Sequence, residues 1–114
     1  MSDDGFDKIV DLVIRQIPDR DREEILSLIL SGHNTYRIAI ALHHTLGRHI
    51  RNLLGLWTDN NFVERVVWDS MSDRRRAIYA KIGRPNAHLH PDDISHELIV
   101  AAINRIAPNC NKNE

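Results

Sequence analysis

The side chains best suited to chemistry stand together in one segment, HLHPDDISHE at 88–97, which holds three histidines and three carboxylates in ten residues. Asp92 and His96 are four residues apart, so they would share one face of a helix. Imidazole and carboxylate groups bind zinc and other divalent ions. The predicted ligands of such a metal are His88, His90, Asp92 and His96. The spacing is a weak metal pattern, and helix capping at Pro91 with histidines on the surface is the alternative.

A second candidate surface lies in the segment 33–57, where basic side chains recur at helical spacing. The steps of seven, four and three between its basic residues predict one solvent-facing side, formed by Arg37, His44, Arg48 and Arg51. Arginines grouped in this way bind phosphate or the carboxylates of a partner. An ordinary solvated helix face is the alternative.

Two short motifs lie within these candidate segments. The segment I-R-N-L-L-G-L-W (50–57) is followed later by H-P-D-D (90–93) at the start of an apolar helix. This pairing resembles a small bacterial domain family of unknown function, over roughly residues 40 to 107. The chain departs from that family in its longer, arginine-rich connection at 63–89. The family supplies no activity, but the resemblance implies a set of near neighbours: Arg51, Asn52, Trp57, His90, Asp92 and Asp93.

The implied neighbours suggest a structural contact as well as a site. Arg51 near the end of one helix could bind Asp92 or Asp93 at the start of another, and so act as an architectural clamp. The competing interpretation is a functional pocket.

The elements that must position these residues are all helices. Apolar spacing of three and four predicts an all-α single domain of five to six helices around a long central helix at about 34–56. Gly47 within that helix suggests that a second helix crosses closely there. The stripe of the central helix includes Leu53, and a following helix would bury Phe62. The predicted helices are 6–17, 21–30, 34–56, 61–71, 73–82 and 91–106.

Local signals predict where several of these helices begin. Asn34 is suited to an N-cap of the central helix, and Ser72 or Asp73 to an N-cap of the helix at 73–82. Asp21 to Glu24 has the form of a capping box. The folded domain is predicted at 1–108 and a flexible polar tail at 109–114.

Composition sets the class of protein. The 114 residues carry a net charge of −1, with eight acidic and four basic side chains at 1–30 and nine basic and four acidic ones at 31–90. No apolar run approaches the roughly 20 residues that span a bilayer, so we expect no membrane association. The acidic start MSDDGFDK lacks the features of a signal peptide, and the single Cys110 can form no internal disulfide. A cytoplasmic protein is expected.

These features predict a small non-enzymatic binding module, an adaptor or inhibitor, that engages a protein partner through a polar and basic helical face. The analogy is with small stand-alone bacterial or phage domains that act on other proteins, including conflict proteins. A homo-oligomer is left open. The predicted binding residues are Arg37, His44, Arg48, Arg51, Asn52, Trp57, Arg74, Arg75 and Arg84.

Two alternatives remain open. The first is a hydrolase or transferase acting on a phosphate-containing substrate through a His/Asp site at 88–97. There His88, His90 or His96 would act as acid, base or ligand of a divalent metal, and no other cofactor is predicted. The second, less favoured because the net charge is near zero, is nucleic-acid binding through residues 74–84.

Overall fold

The last helix, α7 (Pro91–Ile106), organises the packing of the protein. The computed structural model describes residues 2–55, 61–82 and 89–108. In these ranges the other helices are α1 (Ser2–Arg15), α2 (Asp19–Leu30), α3 (Thr35–Ala41), α4 (Leu46–Leu53), α5 (Asn61–Ser70) and α6 (Asp73–Lys81). Helix α7 packs against α1, α3, α4 and α5, while α5 also packs on α1 and α2 on α3.

The apolar sequence of α7 explains its central position. Its side chains are buried around more than one face, because helices cover it from several directions. The buried set is Ile94, Leu98, Ile99, Val100, Ala102 and Ile103. The Cα radius of gyration is 13.5 Å, which matches the value of about 13 Å for one compact domain of this size. The prediction of an all-α single domain is confirmed; the domain bounds 1–108 and the tail at 109–114, which lies outside the described residues, stay predictions.

The predicted central helix at 34–56 is wrong as a single element, because the chain forms α3 and α4 with turns between them. At the break the N–H of Gly47 donates to the carbonyl of Leu42, five residues back instead of four. Leu42 and Leu46 on either side of the break are both buried. The interruption therefore lets α3 and α4 each turn an apolar side toward α7, which one straight helix would not do.

Several local predictions are confirmed and others are wrong. Asn34 and Ser72 cap α3 and α6 through side-chain oxygens. Asp21 forms no capping box, because α2 already begins at Asp19 after Pro18 and Asp21 lies inside the helix, buried. Leu53 and Phe62 were expected in the core but are 38% and 69% exposed.

Candidate functional site

An open cleft of about 590 Å³ lies beside α7. We call it the α6/α7 cleft. Its apolar lining includes Phe6, Met71, Ile78, Val100 and Ala101, and its polar lining includes Tyr36, Ser72, Arg74, Arg75, Glu97 and Asn104. A concave surface with an apolar lining and a few convergent polar groups is the usual form of a binding site.

Arg75 is the most constrained polar group of the cleft. Its Nη2 donates to the Oε2 of Glu97, and its guanidinium carbon lies 5.1 Å from the ring centroid of Tyr36 and 5.9 Å from that of Tyr79. Burial opposes its charge, but the Glu97 carboxylate, its hydrogen bond and the nearby Tyr36 and Tyr79 together raise the pKa of Arg75. The guanidinium is therefore a permanent cation held in one orientation by a carboxylate and two aromatic rings.

Glu97 is the buried acceptor that organises this group. Its Oε2 also accepts a hydrogen bond of 2.6 Å from the hydroxyl of Tyr79. Burial, and then the nearby Glu97 charge, raise the pKa of Tyr79 far above its usual range. Tyr79 therefore stays protonated as a donor. The carboxylate accepts two hydrogen bonds and neutralises part of the positive charge at the cleft.

His96 joins the group through its contact with Tyr36. The two rings stack with centroids 6.1 Å apart and planes inclined by 24°. Burial, followed by repulsion from Arg75 and His43, lowers the pKa of His96, although Glu97 acts in the opposite direction. A neutral His96 ring therefore packs against Tyr36, which in turn lies against Arg75.

The corner between α5 and α6 positions the arginines. Ser72 caps α6 by accepting the N–H of Arg75 at 3.2 Å. Arg76 turns back to α5, where it donates to the carbonyls of Trp68 at 2.9 Å and Asp69 at 2.8 Å. A cation at these last carbonyls stabilises the end of α5. The three consecutive arginines thus have different roles, and Arg74 is the exposed one at the rim of the cleft.

The acidic partner of this arginine run comes from α7. The carboxylate that binds Arg75 belongs to Glu97. The N-terminal carboxylates Asp7 and Asp11 instead bind Arg105 at the other end of α7. Sequence position alone does not distinguish these pairings, because both depend on how α7 crosses the other helices.

The predicted basic face in the segment 33–57 does not form as one surface. Arg37 belongs to α3 and Arg48 to α4, and the break between these helices separates them. Both are exposed, as are His44 and Asn52, but Arg51 is buried with only 6% of its surface exposed. The straight-helix spacing gave Arg51 a solvent-facing position, and that assignment is wrong.

Arg51 instead forms the predicted contact between α4 and α7. Its Nη1 donates to the Oγ of Ser95 at 3.0 Å and lies 3.4 Å from Oδ1 of Asp92. A Cβ at Gly47 would stand 3.0 Å from the same Nη1, so glycine leaves room for the guanidinium. Helix α4 packs closely on α7 here, which confirms both the close crossing at Gly47 and the pairing of Arg51 with Asp92.

The histidine-rich start of α7 is largely occupied with capping. His90 Nδ1 accepts the N–H of Asp92 at 3.0 Å, and Asp93 accepts the N–H of His90 at 3.1 Å. Pro91 is at the first helical position, as expected. Asp92 also has Nε2 of His43 at 3.9 Å.

The predicted metal ligands do not assemble by themselves. His96 packs on Tyr36 at the cleft, and no cluster of three His, Cys, Asp or Glu side chains suited to a metal occurs within 2–55, 61–82 and 89–108. The remaining ligand, His88, falls outside those ranges, as do Trp57 and Arg84. A metal site that includes His88 stays a prediction.

Two hydroxyl groups that line the cleft are hydrogen-bonded to the backbone. The Ser70 hydroxyl donates to the carbonyl of Val67 at 2.7 Å, and the Ser72 oxygen caps α6. Within the part of the chain that is described, neither hydroxyl is hydrogen-bonded to a histidine or carboxylate that could activate it. Cationic and apolar groups that line one opening are instead suited to holding an anion that carries apolar atoms.

Sequence reasoning identified Arg74 and Arg75 but missed Tyr36, Tyr79 and Glu97. One signal was present: Glu97 stands directly before the apolar run 98–103 of α7. A carboxylate that is buried there requires a cation or several donors. Nothing in the sequence indicated that Arg75, rather than Arg74 or Arg76, supplies that cation.

Comparison with protein-family models, curated proteins and solved structures found no match. The resemblance of 50–57 and 90–93 to a bacterial family stays a prediction. Among the helices that the structure describes, none combines the length and the apolar character needed to cross a membrane.

Proposed function

We propose that this protein is a non-enzymatic binding module whose α6/α7 cleft receives a segment of a protein partner. The segment presents a carboxylate to Arg74 and Arg75 and an apolar side chain to the lining around Met71 and Ile78. The single cysteine of the chain favours a cytoplasmic setting for this encounter.

The observation that carries the proposal is the fixed orientation of Arg75. Only its Nη2 has a side-chain acceptor among the described residues, and a quarter of its side chain is still exposed. Because Glu97 and two aromatic rings already hold the guanidinium, a ligand binds it with little further loss of side-chain freedom. Preorganised arginines beside aromatic and apolar surface are typical of the residues that dominate binding energy at protein interfaces.

The chemistry of the partner follows from the charges at the opening. Arg74 is exposed, and Glu97 offsets only one of the two cations of the cleft. A carboxylate can therefore form a charge-assisted hydrogen bond there, while a basic segment is repelled. The apolar lining accepts a side chain of aliphatic or aromatic type.

The test is selection from a displayed library of short random peptides, with the wild-type protein as bait and Arg74→Glu as the counter-selected bait. We expect enriched peptides that combine Asp or Glu with an apolar residue. Binding of those peptides should weaken at least about tenfold on Arg74→Glu, because an attraction becomes a repulsion. Arg48→Glu carries the same charge change on exposed α4 and should leave binding unchanged.

Three results would contradict the proposal. The first is a selection that yields no acidic peptides. The second is equal loss of binding in Arg74→Glu and Arg48→Glu, because that outcome reports net charge and not the cleft. The third is loss with Arg48→Glu alone, which would assign the partner to the surface of α4.

A further inference from the structure

A second surface, whose residues do not line the α6/α7 cleft, lies on α2 and α3. Leu26 and Leu30 of α2 are 55% and 87% exposed, and Ile40 of α3 is 67% exposed. Large apolar side chains with this exposure on two neighbouring helices are typical of an interaction surface.

A small groove accompanies these side chains. It encloses about 240 Å³ and is lined by Leu28, His33, Arg37, Ile40 and Ala41. Most of its lining is apolar, with Arg37 as its permanent charge. The groove therefore suits an apolar side chain that is accompanied by a carboxylate.

The outer side of α2 presents that combination. Glu23, Leu26 and Leu30 follow at steps of three and four, so they line one exposed side of the helix. In the described residues no ion pair is formed by Glu23. An acid therefore precedes two leucines along this side.

The outer side of α3 has the matching pattern. Arg37 and Ile40 are three residues apart, and His44 follows just beyond the helix. Arg37, like Glu23, has no ion-pair partner in the described part of the chain. When Leu26 of one molecule packs on Ile40 of another, the common spacing of one turn brings Glu23 opposite Arg37.

We propose that the α2/α3 surface is the interface of a homodimer, in which α2 of each copy packs on α3 of the other. The occupant of the groove is Leu26 or Leu30 of the second copy, and Glu23–Arg37 ion pairs flank it. Every copy carries both halves of the pattern, so the contact can be made twice about a two-fold axis. The inference is independent of the proposed function, because none of these residues lines the cleft.

Sedimentation equilibrium over a series of concentrations tests this directly. We expect a reversible monomer–dimer equilibrium with a Kd of roughly 1–100 µM, a strength suited to a small surface. Leu30→Asp should raise the Kd at least about tenfold, since it places a charge in an apolar contact. Phe62→Asp is the matched control, because Phe62 is 69% exposed but belongs to α5. The dimer Kd of this variant should equal that of the wild type.

Charge reversal tests the pairing itself. Glu23→Arg and Arg37→Glu should each be monomeric, because each puts like charges opposite one another in a self-pair. An equimolar mixture of the two variants should form a heterodimer, since both contacts then join opposite charges. Both positions are exposed, so circular dichroism should show unchanged helical folds.

Several results would overturn the homodimer. They are a wild-type protein that stays monomeric throughout the series, an unchanged Kd in Leu30→Asp, and single reversals that fail to recover association when mixed. Growth of the mass beyond that of a dimer would also overturn it, because it indicates an open, head-to-tail contact.

Discussion

Replacing Arg51 by alanine should lower the free energy of unfolding by about 2 kcal/mol, because it removes a charged group from the junction of α4 and α7. Arg51 is 6% exposed and donates to the buried hydroxyl of Ser95. Asp92 is its ion-pair partner at 3.4 Å. Alanine removes both contacts and the packing of the long side chain.

The magnitude follows from the different exposure of the two partners. A hydrogen bond from a charged donor to a buried acceptor contributes about 1.5–3 kcal/mol. The ion pair contributes only about 0–1 kcal/mol, because 42% of the Asp92 side chain is exposed and solvent screens it. One contribution has the opposite sign. The Nε of Arg51 is buried without a hydrogen-bond partner among the described residues, so its removal recovers about 1 kcal/mol. The balance is about 2 kcal/mol.

Urea unfolding followed by circular dichroism measures this directly, and a thermal melt should show a Tm lower by roughly 8 °C. Asp92→Asn is the comparison variant, since its amide oxygen can still accept a hydrogen bond and its cost should stay below about 1 kcal/mol. If the Arg51→Ala variant is as stable as the parent, that result would falsify the structural role of the contact between Arg51 and α7. So would a greater cost for Asp92→Asn than for Arg51→Ala, because the Ser95 contact would then not be the main one.

Three further results are expected from the same structure. Gly47→Ala should destabilise the parent, where its Cβ meets Nη1 of Arg51 at 3.0 Å, yet stabilise the Arg51→Ala variant by up to about 1 kcal/mol through helix propensity; equal effects in both would refute the close contact. Because burial lowers the pKa of His96 in the fold, the unfolded chain takes up the proton first, so stability falls as the pH drops below about 6.5. His96→Gln should flatten that part of the urea-stability profile. Tyr79→Phe should cost about 1 kcal/mol in a melt, the value of its hydrogen bond to Glu97, and no loss would mean that Glu97 does not depend on this donor.

What the sequence predicted correctly is mostly local. The caps at Asn34 and Ser72 and the start of α7 at Pro91 depend on side chains within a few residues of the backbone groups they bind. A contact of Arg51 with Asp92 or Asp93 was also predicted, and the structure pairs Arg51 with Asp92.

What the sequence did not predict depends on packing between distant segments. The break between α3 and α4 contains neither proline nor glycine at 42–45 and results from the need of both helices to pack on α7. That break also moved Arg51 from a supposed surface to the interior. The grouping of Tyr36, Arg75 and Glu97 joins three separate helices, and no periodicity within one helix encodes it.

The central position of α7 has a consequence for synthesis of the chain. Helices α1, α3, α4 and α5 all pack on α7, yet the ribosome makes all four before residues 91–106. Until α7 has left the exit tunnel, those four helices have no common surface on which to bury their apolar sides. Folding of this domain therefore follows translation of its core, and the unfinished chain exposes apolar surface that chaperones recognise.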